Sequence, residues 1–139
     1  MKVNYKDGKG DGLCEYYLEN GHLHYRYNEK DGEKDGLGMR FYEYGQLKSR
    51  VNYKNGEMDG PYERFYATGQ LQERVNYKDG EMDGIQEWFY KNGQILERGN
   101  FKDGKVEGLR EYFDEEGNLT KSETWKNVKL IEEMHHGSI

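Results

Sequence analysis

Residues 60–84 read GPYERFYATGQLQERVNYKDGEMDG. The stretch begins and ends on glycine and holds two turn signals, Thr68-Gly69 and Asp79-Gly80. Asp-Gly and Asn-Gly pairs suit two-residue hairpin turns, because a type I′ turn needs positive φ at both central positions. Between the turns lie runs rich in Tyr, Phe and Val, which fit a pleated, half-buried surface. Glycine interrupts every window long enough for a helix. The stretch therefore predicts a β-hairpin that leads directly into another.

Outward from it, the pattern recurs at a step of 24 residues. One glycine column holds Gly8, Gly32, Gly56, Gly80 and Gly104, a second Gly12, Gly36, Gly60, Gly84 and Gly108, and a third Gly21, Gly45, Gly69, Gly93 and Gly117. Tyr17, Phe41, Phe65, Phe89 and Phe113 form an aromatic column, and Leu23, Leu47, Leu71, Ile95 and Leu119 an aliphatic one. Residues 1–134 then make one domain of repeats near 4–27, 28–51, 52–75, 76–99 and 100–123, with a partial unit at 124–134 and a terminal tail at 135–139. The glycine columns lapse at Val128 and Glu132, where the array ends. The expected fold is all-β: an elongated single antiparallel β-meander of about five 24-residue hairpin repeats, with roughly ten strands about 4.8 Å apart. One hairpin alone is marginal in water, so the units must hold one another.

Charges suggest a register. With two-residue turns at both signals, Glu63 faces Arg74, Arg64 faces Glu73 and Tyr66 faces Leu71. Glu15 likewise faces Arg26, Glu87 faces Arg98, and Arg110 faces Glu123. On the other side Tyr77 faces Met82, Lys78 faces Glu81, and Gly84 faces Val75. Opposite charges across a ladder stabilise it by roughly 0.2–1 kcal/mol each. A three-residue turn with a bulge would shift this register by one.

Composition narrows the function. Only 33% of residues are hydrophobic, so a large aliphatic core is excluded, and the 13 Tyr, 5 Phe and 2 Trp must supply the buried area. The net charge of −6 repels phosphate backbones and anionic head groups, which disfavours nucleic acid and membrane surfaces and favours a basic partner. Cys14 is the single cysteine, so no internal disulfide forms. No apolar stretch has the length of a signal peptide or a membrane span, and a cytoplasmic location is expected.

No catalytic constellation stands out, and no enzyme, cofactor or metal site is expected. The acidic column Asp11, Asp35, Asp59, Asp83 and Glu107 recurs in every repeat, as structural carboxylates do. The run Asp79-Gly80-Glu81-Met82-Asp83-Gly84 lacks the spacing of a calcium loop. His22 and His24 share a strand face without a third ligand, and Cys14 reads as a small packed hydrophobe.

Gly60, Tyr62, Phe65, Tyr66, Gly69, Leu71, Tyr77, Gly80 and Gly84 match the bacterial variant of the MORN-type repeat, and the match runs from residue 4 to about 127. Phrases such as YKNGEMDG at 53–60 resemble YwqK-type antitoxin or immunity proteins. The resemblance implies a non-enzymatic protein-binding module that occludes a basic toxin domain, with oligomers compatible. The expected partner-binding residues are Tyr62, Tyr66, Trp88 and Tyr90 as anchors, and Asp59, Glu63 and Glu87 for steering. The alternatives are a glycan or cell-wall binding hairpin array and a MORN scaffold protein.

Overall fold

The computed structural model describes residues 2–6, 9–126 and 129–135, with side chains described from Gly10 to Lys126. The strands are β1 (Lys2–Lys6), β2 (Lys9–Tyr17), β3 (Leu23–Lys30), β4 (Glu33–Lys34), β5 (Gly36–Phe41), β6 (Leu47–Lys54) and β7 (Glu57–Phe65). They continue as β8 (Leu71–Lys78), β9 (Glu81–Phe89), β10 (Ile95–Lys102), β11 (Lys105–Val106), β12 (Gly108–Phe113), β13 (Leu119–Lys126) and β14 (Lys129–His135). Together they form one antiparallel sheet in chain order, with the two-residue β4 and β11 pairing with β3 and β10 beside the main path. Among the described residues there is no helix. The five repeats supply β2 to β13, and β1 and β14 add a further strand at each side. Of the tail at 135–139, His135 closes β14 and the rest lies outside the described residues.

The two-residue turns form as the sequence predicts. Asp31, Asn55, Asp79 and Asp103 take φ of 51–53°, and the glycines that follow take 80–84°. Both central residues are left-handed, as type I′ requires, and Asn and Asp tolerate that region better than other side chains do. The flanking pairs are Lys54 with Glu57 and Lys78 with Glu81.

The turns at the other end correct the expected register. Gly69 N–H donates to the Tyr66 carbonyl at 2.9 Å, and Tyr66 N–H to the Gln70 carbonyl at 2.8 Å. This is a three-residue loop, Ala67-Thr68-Gly69, in which Gly69 sits at φ 101° as the bulge glycine. Phe65 therefore faces Leu71, and Tyr66 lies beyond the strand pair. Past the bulge the register is the expected one: Glu63 faces Arg74 and Arg64 faces Glu73. Asn20-Gly21 and Asn92-Gly93 build the same three-residue loop, as does Tyr44-Gly45, so the Asn side chain adds a bond to the turn without setting its length. Asn20 and Asn92 accept from the N–H two residues on, at 2.9 Å.

A second correction concerns the middle glycine column. Val75 faces Gln86 and Tyr77 faces Met82, so Asn76 alone spans Asp83, Gly84 and Ile85. Gly84, at φ 103°, faces Phe101 on its other side rather than Val75. This column exists to hold an inter-repeat bulge, which bends the strand and increases its twist.

Repeats are tied together at both ends. At the two-residue turns, Gly56 N–H donates to the Lys34 carbonyl at 2.9 Å and Gly80 N–H to that of Met58 at 3.0 Å. At the three-residue loops, the hydroxyls of Tyr42 and Tyr66 donate to the carbonyls of Phe65 and Phe89, each at 2.6 Å, and that of Tyr90 to Phe113 at 2.7 Å.

The two faces of the sheet differ. On one, Cys14, Tyr27, Val51 and Val75 are buried although the described residues supply no second layer, with Val75 only 1% exposed. Their own neighbours cover them, as happens when bulges coil a sheet toward one face. We call this the packed face. The other is the open face, where Leu37, Ile85 and Leu109 are exposed.

Candidate binding surfaces

The packed face changes character along the array. Early in it, Tyr25 and Tyr27 lie 4.9 Å apart between ring centres, with Tyr16 stacked beside both. The Lys34 ammonium stands 5.1–5.3 Å from the ring centres of Tyr25, Tyr27 and Tyr53, inside cation–π range. Tyr53 fits because Gly38 leaves room: a Cβ there would lie 2.7 Å from the Tyr53 ring.

Later in the array the same rows become polar. Gln86 donates to buried Glu73 at 2.7 Å, and Arg110 donates to Gln86 at 2.7 Å and to Glu97 at 2.8 Å. Arg110 is 8% exposed and lies where Gly99 has no side chain, since a Cβ on Gly99 would overlap its guanidinium. Among the described residues, Arg64 Nε and Arg110 Nη1 are buried without an acceptor. Arg110 faces Glu123 along the backbone as expected. Its side chain nonetheless turns to the other neighbour, while Glu123 pairs with Lys121 at 2.7 Å.

Burial pushes the Glu73 carboxyl above its ordinary value, against the opposing pull of Gln86 and Arg64. The folded chain then binds a proton that the unfolded chain has lost, in the window just above pH 4.5. Stability falls as pH rises through that window, and at pH 7 the ionised carboxylate weakens the native state. Glu73→Gln preserves the acceptor for Gln86. It is expected to raise the urea midpoint at pH 7 and to remove that decline. A lower midpoint at pH 7 would show that attraction to Arg64 outweighs the burial.

On the open face, ion pairs reach from each repeat to the next. Arg50 meets Glu63 at 2.9 Å, Arg74 meets Glu87 at 2.8 Å and Arg98 meets Glu111 at 2.9 Å. Each of these guanidiniums also lies over a phenylalanine, 5.3–5.9 Å from the centres of Phe65, Phe89 and Phe113. Arg26 is the exception, because Met39 stands where the next glutamate belongs. It turns back to Glu15 at 3.3 Å.

The edge formed by the two-residue turns is acidic. Glu33, Glu57 and Glu81 follow the turns directly, and Asp35, Asp59, Asp83 and Glu107 come two residues later. The turns stack there: a side chain at Gly56, Gly80 or Gly104 would touch Glu33, Glu57 or Glu81 of the preceding hairpin at 3.6–3.8 Å. Lys30, Lys54, Lys78 and Lys102 flank the same turns. Among the described residues these carboxylates make no ion pair, and no three His, Cys, Asp or Glu side chains converge as metal ligands would.

With this geometry in place, the MORN repeat variant model matches residues 34–55, 58–79, 82–103 and 106–127, more than half of the chain. The chain belongs to the MORN repeat variant family. No curated protein matches it. Among solved structures, similarity is found to accessory secretory protein 1,2 and 3 of Streptococcus pneumoniae, with 15% identity, TM-score 0.43, and 79% of this chain against 20% of that one. The S. aureus TarM G117R mutant in complex with Fondaparinux, alpha-GlcNAc-glycerol and UDP gives 12% identity, TM-score 0.46, and 86% against 21%. The Glycosylation Associate Protein (Gap123) complex from Streptococcus agalactiae gives 18% identity, TM-score 0.44, and 80% against 20%. The chain thus spans about a fifth of the length of these structures.

Within the MORN repeats, the seven residues picked from sequence fall on different surfaces. Tyr62 and Trp88 lie on the packed face, Tyr62 edge-on to Tyr77 at 6.1 Å and Trp88 between Glu73 and Glu97 in the ladder. Tyr66 and Tyr90 stand at the three-residue loops with their hydroxyls engaged by the next repeat. Glu63 and Glu87 belong to the open-face ion pairs, whereas Asp59 lies at the acidic edge. The sequence reading missed the polar cluster of Glu73, Gln86, Glu97 and Arg110. Its signal was a break in the columns: Val51 and Val75 are followed by Gly99, and Tyr62 by Gln86 and Arg110.

Proposed function

We propose that this MORN repeat array is a non-enzymatic, cytoplasmic protein-binding module of the immunity or antitoxin kind, which occludes a basic toxin domain. The observation that carries the reading is the distribution of carboxylates. Those on the open face are neutralised by Arg50, Arg74 and Arg98, whereas Glu33, Asp35, Glu57, Asp59, Glu81 and Asp83 line one edge without an ion pair among the described residues. Two strands separate equivalent positions, so these charges recur about every 10 Å. That spacing is close to the Debye length of about 8 Å at physiological ionic strength, and such a row attracts a basic surface collectively. The net charge of −6 supports a partner other than nucleic acid or an anionic membrane.

The test is the association rate between the whole chain and the protein encoded beside it, at low and high salt. Raising salt from 50 to 500 mM is expected to slow association by about tenfold or more. Reversing Glu57, Asp59, Glu81 and Asp83 to Lys is expected to do the same at low salt. An acidic partner, or a rate indifferent to both changes, would remove the steering mechanism. As an anchor, Trp88 is the cleaner probe, because Tyr66→Ala also removes the hydroxyl that holds Phe89.

A further inference from the structure

Three tyrosines hold successive hairpin junctions in the same way. Tyr42, Tyr66 and Tyr90 each send a hydroxyl to the carbonyl 23 residues on, at Phe65, Phe89 and Phe113. An ammonium stands over two of the rings, Lys48 above Tyr42 at 5.6 Å and Lys91 above Tyr66 at 5.7 Å. The last position of the column is Asp114. Its carboxylate accepts from the N–H groups of Asn118 at 2.9 Å and Glu116 at 3.0 Å, capping its own loop instead of reaching onward.

The first position of the column is Leu18, and 23 residues on lies Phe41. Leucine has no ring to fill the junction and no hydroxyl to donate. A cavity of about 530 Å³ lies there, lined by Leu18, Asn20, His24, Phe41, Tyr42 and Lys48. Shifted by two repeats, these are the columns of Tyr66, Thr68, Gln72, Phe89, Tyr90 and Leu96, the setting of the Tyr66 ring. The chain places a phenylalanine carbonyl at each junction, supplies its own phenol at three, and supplies none at the first.

We propose that this first junction takes a phenol group, the side chain of a tyrosine presented by the protein partner. The ring would lie over Leu18 beside His24 and Lys48. The hydroxyl would donate to the Phe41 carbonyl, as Tyr66 donates to Phe89. This subsite rests on the protein-binding reading and deepens it. It is specific for tyrosine over phenylalanine, because only the hydroxyl satisfies the carbonyl once water is displaced.

The test uses the whole isotope-labelled chain and two small probes, N-acetyl-tyrosinamide and N-acetyl-phenylalaninamide, followed by amide chemical shifts. The tyrosine probe is expected to move resonances of Leu18, His24, Phe41 and Tyr42 with an affinity of about 1–10 mM. The phenylalanine probe should bind about fivefold more weakly, as loss of one hydrogen bond predicts. Leu18→Tyr fills the junction from within, so it should raise the melting temperature and abolish those shifts. Leu18→Phe fills it without the hydroxyl and should abolish the shifts with a smaller thermal gain. Absence of localised shifts in the parent chain, equal response to both probes, or shifts that survive both variants would overturn the proposal. The neighbour-encoded partner separates this subsite from the wider reading. If Leu18→Tyr binds that partner with unchanged affinity, the tyrosine subsite fails while protein binding stands.

Discussion

Gly99→Val is expected to lower the unfolding free energy by about 3 kcal/mol, even though valine is what this column holds at Val51 and Val75. The neighbouring column explains the reversal. Val75 faces Gln86, a side chain compact enough to lie beside it, whereas Gly99 lies under the Arg110 guanidinium. A valine there would push Arg110 off Gln86 and Glu97, leaving a cation and a carboxylate without each other in a half-dry site. Arg110→Gln made in the same chain recreates the Val75–Gln86 arrangement and should recover at least about 1 kcal/mol of the loss, a non-additivity that contacting residues show. Urea titrations of the two single variants and the double variant measure it. Additive losses would mean that Arg110 is not what keeps this position empty.

The isolated hairpin 57–80 is expected to lose its structure entirely, whereas the whole chain melts in a cooperative transition. Within that hairpin the strand pair and the three-residue loop are complete, yet its ion pairs leave it in both directions, Glu63 to Arg50 and Arg74 to Glu87. Its Tyr66 hydroxyl belongs to Phe89, and Phe65 receives that of Tyr42. Burial follows the same rule, since Val75 lies between Tyr62 on one strand and Gln86 on the next. A repeat unit that borrows this much from its neighbours has too little of its own to offset the chain entropy of folding. Dispersed amide resonances in the synthetic peptide at room temperature would contradict this.

The repeat, the strand class and the two-residue turns were legible in the sequence, because each rests on a residue type that the backbone demands every 24 positions. Turn length at Thr68-Gly69 was not, since both a two-residue and a three-residue loop accept glycine there. The difference lies in whether Tyr66 pairs with Leu71 or with the Gln70 carbonyl. Charge pairing was half legible. Arg74 and Arg98 each have a glutamate on either side in the ladder, whereas Met39 takes one side of both Arg26 and Arg50. Arg74 lies between Glu63 and Glu87, and only packing selects the forward one. The expected binding residues stand out by type, and alternation along the strands together with the turns places them on two faces and two edges. What the columns did announce were the departures, Leu18 in a tyrosine column and Gly99 in a valine column. Those departures mark places where the array stops being uniform.

The bonds that join one hairpin to the next span a constant stretch of chain, as in Gly56 to Lys34 at one end and Tyr42 to Phe65 at the other. None of them refers to a position in the array as a whole. A tandem duplication of one repeat's worth of coding sequence, cut at any phase, would therefore join its flanks with the bonds already in use. Copy number can drift through replication slippage without first inventing an interface, and every added copy lengthens the row of carboxylates by one increment. In such a lineage, reach toward a partner would evolve by counting, while selectivity would evolve in the few positions that refuse to match their neighbours.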